Sequence, residues 1–388
     1  MNKIKPYQIC TRGVWDTTVP GITFHGKGAS NYSRIHDQLV AKYPRGEKGL
    51  QDWRAIVQKI IEKGQGKQYD CVVGISGGTD SSYLLHMACE YGLRPLAVSI
   101  DNGWNSKISI ENIRKLTSKL NIDLETYVVD PEEMNDILVS YMKAGLPWID
   151  CPSDHAIKSM LYKIAYRKGI KYILSGGDFR SEGKQPSEWT YSDVRQLEYI
   201  QTKFGHHKFK TFPYLTIKET IFLSYIKGIK VVAPYNYLDY QKKTAQAFLI
   251  KEYDWEYYGG HHHENIFTKF VVGCWLPQKF NIDKRIITLS AQILSGEITR
   301  KDALEELKNP PYDQTQMEED KTYIIAQLGL TQDEFEEIWT NLNKYFIDYP
   351  SNYTTIRKYM KFIKPILKYV LHREPMMFAE MEIRNQEK

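Results

Sequence analysis

The stretch CVVGISGGTDSSYLLH, residues 71–86, decides how this chain is read. Cys71 to Ile75 form a short apolar run rich in Val and Ile, which suits a strand buried on both faces. Seven small or polar residues follow, SGGTDSS (76–82), before Leu84, Leu85 and Ala88 resume an apolar pattern at helical spacing. Parallel sheets bind ligands at the carboxyl ends of their strands, which is where this turn falls. Gly77 and Gly78 remove Cβ atoms, so the backbone can approach a ligand closely and adopt positive φ. The hydroxyls of Ser76, Thr79, Ser81 and Ser82 add donors, and the N–H groups of the helix start face the same way. In physical terms the turn is a phosphate cradle. A serine- and aspartate-capped turn with no ligand is the plainer structural reading. The GxxxxGK[ST] spacing of kinase-type phosphate loops does not occur in the chain.

Outward from this turn, strands and helices alternate. RPLAVSID (94–101), DLETYVVD (123–130) and IKYILSGG (170–177) predict further strands. ISIENIRKLTSKLN (108–121), PEEMNDILVSYMKAG (131–145) and SDHAIKSMLYKIAYRKG (153–169) predict the helices between them. Repeated β-α units imply an α/β fold, a parallel sheet with helices on both faces. DWRAIVQKIIEKG (52–64) reads as an amphipathic helix ahead of it. After about residue 236 the strand signals fade. TLSAQILSGEITRKDALEELKN, LTQDEFEEIWTNLNKYF and YTTIRKYMKFIKPILKYVL then read as helices, the second opened by a Thr331–Glu334 capping box. The expected organisation is an irregular segment over 1–50, an ATP-binding α/β domain over 51–235 and a helical region over 236–388.

The whole chain sets bounds. Its 388 residues allow two or more domains, or one with large additions. A composition 42 % hydrophobic and 26 % charged is that of a soluble globular protein, and a net charge of +5 is far from a nucleic-acid signature. No export signal and no long apolar stretch occurs, so a cytoplasmic protein without a membrane span is expected. Cys10, Cys71, Cys89, Cys151 and Cys274 form no CxxC pair and read as free thiols.

The turn SGGTDSS resembles the pyrophosphate-binding loop of the PP-loop ATP pyrophosphatases, which cleave ATP to AMP and pyrophosphate. That resemblance implies that Ser76, Gly77, Gly78, Asp80 and Ser81, with Thr79 and Ser82 in the same turn, hold the pyrophosphate. It places Asp80 near Mg²⁺, Gly74 and Ile75 against the adenosine, and Ser99, Ile100, Asp101 and Asn102 beside the adenine. Further stretches narrow the branch: VWDTTVPGITF (14–24), LPWIDCPSDHAI (146–157), LSGGDFRSEGKQPSEW (174–189), FGHHKFKTFP (204–213), GGHHHENIFTKF (259–270), LPQKFNIDKR (276–285) and ILSGEITRKDALEELKNPPYD (293–313). Together they are similar to the N-acetyl sugar amidotransferase family of bacterial surface-polysaccharide synthesis. Members convert an acetamido group to an acetamidino group, on mannuronic-acid-type O-antigen sugars or on nonulosonic acids. The chemistry is coherent. An amide carbonyl is a poor electrophile, adenylation turns its oxygen into a leaving group, and ammonia then attacks the carbon.

A second glycine turn, SGGDFRSEG (175–183), also follows a strand. Gly176, Gly177 and Asp178 are candidates to line the site, and Glu182 to contact substrate or metal, or to orient ammonia, against an ordinary surface loop that the resemblance disfavours. Lys269, Lys284 and Arg285 are candidates to neutralise phosphate or developing charge, against a solvated basic face. Trp189 is a candidate stacking platform, against a core indole. His262 and Glu264 are candidates to hydrogen-bond sugar or phosphate, against a polar loop. Relatives carry two CxxC pairs near the amino terminus, where this chain has Cys10, Gly13, Ser30 and Ser33. Glycine offers no ligand atom and serine binds zinc poorly, so no zinc site is expected, and packing by Trp15, Phe24 and Tyr32 must replace it.

No cysteine has the context of a glutaminase nucleophile. The cofactors that the PP-loop resemblance implies are ATP and Mg²⁺. The expected partner is a separate glutaminase subunit, resembling that of imidazole glycerol phosphate synthase, with a cyclase-like companion. The competing readings are a tRNA sulfur-transfer enzyme of the same superfamily, a carboxylate-amidating synthetase, and a nucleotide-binding scaffold without activity.

Overall fold

The computed structural model describes residues 6–260 and 263–366. Its centre is a five-stranded parallel sheet. After a two-residue hairpin, β1 (Phe24–His25) and β2 (Ala29–Ser30), come β3 (Cys71–Gly74), β4 (Pro95–Asp101), β5 (Leu124–Val128), β6 (Tyr172–Leu174) and β7 (Lys230–Val232). The sheet order is β5-β4-β3-β6-β7, with every pair parallel. The chain leaves β3 toward β4 on one side and returns to β6 on the other. The strand order therefore reverses between β3 and β6, the crevice where such sheets take ligands.

Side chains alternate across the sheet with period two. Val72, Leu96, Val98 and Ile173 face one layer, with Met160, Ile164, Leu215 and Leu223. Cys71, Val73, Ala97 and Leu174 face the other, with Trp53, Leu84, Leu85, Leu116 and Leu249. Helices α2 (Gly46–Gly64), α3 (Thr79–Glu90) and α4 (Lys107–Leu120), together with Lys242–Tyr253, supply that second layer. On the first face stands α6 (Cys151–Arg167), while α5 (Pro131–Lys143) packs in a further core with the helices that follow residue 265. Both faces are covered, which is why the sequence of β3 reads as a continuous apolar run.

The four strands expected from sequence are present, and β7 is an addition to them. It has three residues and two are exposed, so it carries no buried apolar run to betray it. The amino-terminal segment corrects an expectation: its described residues, 6–50, include a hairpin and a helix rather than irregular chain alone. Between the hairpin and α2 lies α1 (Asn31–Lys42), with Ser30 as N-cap accepting from Ser33 N. Cys10 Sγ accepts from Ser30 N at 3.3 Å. Trp15 is buried and stacks on Tyr32, while Phe24 is partly buried at the edge of the same core. A Cβ at Gly13 would lie 2.8 Å from the Trp15 ring, so the indole fills that space. Backbone bonds to later helices finish the attachment, from Val14 N to Ser290 Oγ and from Arg300 to the carbonyls of Gly13 and Cys10.

Past β7 the described residues form helices and turns with no further strand. The capping box at Thr331 and Glu334 is formed. Residues 367–371 of the last expected helix lie outside the described residues. One departure from regularity bears on the site. Ile266–Phe270 runs into a π-helical stretch, Val271–Lys279, with Pro277 inside it. Proline has no N–H to give an α-helical ladder, and such bulges recur at functional sites.

Candidate active site

A cavity of about 600 Å³ opens at the reversal between β3 and β6. Its wall is built from the ends of β3, β4 and β6, from α6, and from the segment 264–284. Of the residues singled out from sequence, Gly74, Ile75, Ser76, Ser81, Ile100, Asn102, Gly176, Glu264 and Lys284 line it.

The glycine turn is locked from behind. Gly77 has φ +77°, and its carbonyl accepts from Trp255 Nε1 at 3.1 Å and Asn112 Nδ2 at 3.5 Å. Gly78 opens α3 without a side-chain cap, and Thr79 N donates instead to Tyr258 Oη at 3.1 Å. Within the turn, Ser76 Oγ and Ser81 Oγ are 3.1 Å apart, and Ser76 N donates to Ser81 Oγ at 3.1 Å. A Cβ on Gly78 would stand 3.0 Å from Glu264 Oε1 and 3.2 Å from Ser76 Oγ. Glycine there is what lets the carboxylate and the turn approach. Ser82 Oγ is buried without a hydrogen-bond partner among the described residues. Ser76 and Ser81 face the cavity beside the amino end of α3, an arrangement of donors that suits an anionic ligand such as a nucleotide phosphate chain.

Asp80 faces a different environment. Its carboxylate accepts from Tyr240 Oη and pairs with Lys242 Nζ at 2.8 Å, and its carbonyl accepts from Tyr235 Oη at 2.7 Å. Burial alone would discharge Lys242, but Asp80 outweighs it and raises its pKa. The described residues contain no group of three His, Cys, Asp or Glu placed to hold a metal. Mg²⁺ commonly uses only one or two carboxylates beside phosphate oxygens. Asp80, the carboxylate expected for it, is already neutralised by Lys242, so these residues do not form a Mg²⁺ site as they stand.

The opposite wall is a polar chain. Thr268 Oγ1 donates to Asp150 Oδ2 at 2.5 Å and Ser153 Oγ to Asp150 Oδ1 at 2.6 Å. Asn102 Nδ2 donates to Ser153 Oγ at 2.9 Å, and Asn265 Nδ2 to Asn102 Oδ1 at 3.2 Å. Beside it, Lys284 Nζ sits 3.9 Å from the centre of the Trp148 ring, and Trp148 Nε1 donates to Asp154 Oδ2 at 2.8 Å. Burial pulls Lys284 down to about 8, against the pull of Asp154, Glu182 and Asp150. Lys158, on the same wall, is lowered by burial as well.

The second glycine turn packs against the first. A Cβ on Gly176 would lie 3.3 Å from the backbone of Asp80, and one on Gly177 would lie 3.9 Å from Glu182 Oε2. Asp178 is buried and caps the short helix Phe179–Glu182, with Arg45 Nη2 at 3.6 Å, and burial raises its pKa.

Four expected residues do other work. Lys269 is paired with Asp320 at 2.7 Å and lies over the Tyr312 ring, which ties the carboxyl-terminal helices to Ile266–Phe270. Arg285 is held by Asp283 and donates to the carbonyls of Glu306 and Asn309. Trp189 is 3 % exposed and belongs to the core. Asp101 Oδ1 accepts from Gly103 N in the turn after β4. Asp320 claims Lys269 from 51 residues away and the core claims Trp189, whereas Asp101 and Arg285 are held by groups two residues away, Arg285 also by carbonyls more than 20 residues on. His262 lies outside the described residues.

Sequence reasoning passed over Trp148, Asp150, Ser153 and Asp154, although all four fall in the quoted stretch LPWIDCPSDHAI. It also passed over Asn265 and Thr268, in GGHHHENIFTKF. The polar residues clustered at the amino end of an apolar helix were the available signal. Nothing in the sequence marked Trp255 or Tyr258, which reach the turn from some 180 residues away.

The fold and the turn define a PP-loop ATP pyrophosphatase, a superfamily of ATP-using enzymes. The chain belongs to the phosphoadenosine phosphosulfate reductase domain family, matched over residues 70–276. Residues 264–364 match the LPS biosynthesis protein WbpG-like C-terminal domain, which places the chain in the polysaccharide-biosynthesis branch. An uncharacterized protein of Methanocaldococcus jannaschii is 24 % identical over 279 residues, 70 % of this chain and 83 % of that protein. Among solved structures, NMN synthetase from Francisella tularensis is 15 % identical with a TM-score of 0.32, covering 74 % of this chain and 95 % of that one. The U34-tRNA thiolase NcsA from Methanococcus maripaludis is 14 % identical with a TM-score of 0.32, covering 67 % and 80 %.

Proposed function

We propose that this protein is an ATP-dependent amidotransferase that converts the acetamido group of a bacterial surface sugar to an acetamidino group. The observation that carries the reading is the composition of one cavity. It joins the Ser76–Ser81 turn to Lys284, Trp148 and the Thr268–Asp150–Ser153 chain, and no cysteine lines it. ATP supplies the activating adenylyl group, and the amide oxygen of the sugar leaves with AMP when ammonia adds to the carbon. In this scheme Ser76, Ser81 and the start of α3 hold the departing pyrophosphate. Trp148 gives the sugar a flat apolar platform, and Asp150 with Thr268 orients its hydroxyls. Lys284 meets the charge that builds as the oxygen leaves. No step requires a side-chain nucleophile.

The thiols support this over sulfur transfer. Cys71, Cys151 and Cys274 are buried with pKa values pushed up, the last to about 12. Cys89 is raised to about 11, and a reactive thiol needs the opposite shift. Ammonia is then supplied by a separate glutaminase subunit. The test is mass spectrometry of products after incubation with ATP and a panel of N-acetylated sugars. With ammonium salt, one sugar should show the mass change of O replaced by NH. Glutamine alone should give none. Turnover on glutamine without a partner, or no amidine from any sugar with ammonium, refutes the proposal.

A further inference from the structure

The helix Tyr353–Pro365 carries two apolar stripes. Tyr353, Ile356, Met360 and Ile363 form one, which packs on Phe346 and Tyr191. Tyr359, Phe362 and, just past the helix, Ile366 form the other, and they are 46 %, 73 % and 54 % exposed. At about 100° per residue the two stripes lie side by side, so only half of a wide apolar arc is used by the core. The remaining arc holds Arg357, Lys358, Lys361 and Lys364, and YTTIRKYMKFIKPI (353–366) contains no acidic residue. Lys358 Nζ rests 5.4 Å from the centre of the Tyr359 ring, so the basic arc begins where the exposed apolar stripe ends. The sequence continues LKYVLHR (367–373), adding Lys368 and Arg373 and again no acid.

An aromatic and aliphatic stripe bordered by lysines on one outward helix face is the pattern of a helix lying in a membrane interface. Lysine stems lie along apolar surface while their ammonium groups reach toward phosphate. We propose that this helix seats the protein on an anionic lipid surface. Tyr359, Phe362 and Ile366 enter the acyl boundary, and Lys358 and Lys361 meet the headgroup phosphates. Charge complementarity selects this occupant. The ionic groups that this helix itself supplies are all basic, which suits an acidic bilayer. The convex side of a helix needs no matching groove on its partner. The contact is peripheral, since no described helix is long and apolar enough to cross a membrane.

The test is co-sedimentation of the purified full chain with vesicles of phosphatidylcholine alone and of phosphatidylcholine mixed with phosphatidylglycerol. Binding is expected only to the mixed vesicles, and high salt should release it. Replacing Phe362 and Ile366 by Ser should weaken binding at least tenfold. Replacing Lys358 and Lys361 by Gln should weaken it about fivefold for each lysine. Thermal unfolding should match the parent chain, because the altered side chains are exposed. Equal sedimentation with both vesicle types, or binding unchanged by either pair of substitutions, overturns the proposal. So does self-association that F362S removes while vesicle binding is absent, since the face then covers a second copy.

Discussion

Replacing Gly77 by Ala probes the turn at its most constrained point. The substitution carries two costs. Holding a residue with a Cβ at φ +77° is worth roughly 1–2 kcal/mol against folding. The new methyl would also sit on the carbonyl oxygen of Ser109 and 2.8 Å from its carbon and Cα, atoms fixed in the first turn of α4. Backbone atoms there cannot rotate aside, so an overpacking cost of about 1–3 kcal/mol adds to the first. Gly92 separates the two, because it has φ +73° but open space around the position its Cβ would take. Gly92→Ala should therefore lose about 1–2 kcal/mol and Gly77→Ala about 2–5 kcal/mol in urea unfolding. Only the second should also weaken binding of a nonhydrolysable ATP analogue, measured by calorimetry, because relief of the clash pushes the turn toward the cavity. Equal stability losses, with nucleotide affinity untouched in both, would show that contact with α4 does not fix the turn and would refute this reasoning.

Three further outcomes follow from the site and its supports. Asp80→Asn removes the charge that holds Lys242, and pyrophosphate release should be abolished while circular dichroism stays unchanged. Because Lys284 loses its proton at about 8, the positive charge at that wall is present below this pH and lost above it. Pyrophosphate release should fall as pH rises through that value, and Lys284→Arg, which stays charged, should remove this limb of the profile. Asp136 is pushed up by burial, but bonds from His206 N, His207 N, the Gln201 amide and the His206 ring outweigh this and lower its pKa. Its contribution to stability is thus present above the ordinary carboxylate range and lost as pH falls through its lowered value. Asp136→Ala should cost about 2–4 kcal/mol and expose residues 204–212 to limited proteolysis.

The sheet was legible because β3, β4 and β6 are largely buried on both faces and carry apolar runs, while the edge strand β5, LETYV, showed through its β-branched and aromatic residues. The exposed edge strand β7 was not, and α1 was hidden because its sequence, NYSRIHDQLVAK, begins with a polar turn and has only a narrow apolar stripe. The glycine turn was readable as a tight strand-to-helix turn for a physical reason: Gly77 has φ +77° against Ser109, and a Cβ on Gly78 would crowd Glu264 and Ser76. The lysines show the opposite case. Lys269 and Lys284 look alike in sequence, yet one is consumed by Asp320, whereas the other stands over Trp148 in the cavity. That difference arises from helices folding back across the chain, which spacing does not encode. Asp80 gained Tyr240 and Lys242 in the same way.

The claim beneath all of this is that the turn at residues 76–82 holds the phosphate chain of ATP. A crystal structure of the protein with a nonhydrolysable ATP analogue measures it directly. The account predicts phosphate oxygens within hydrogen-bond distance of Ser76, Ser81 and the backbone at the start of α3, with the adenine toward Ile100. An analogue bound with its phosphates elsewhere, and this turn bare, would contradict it.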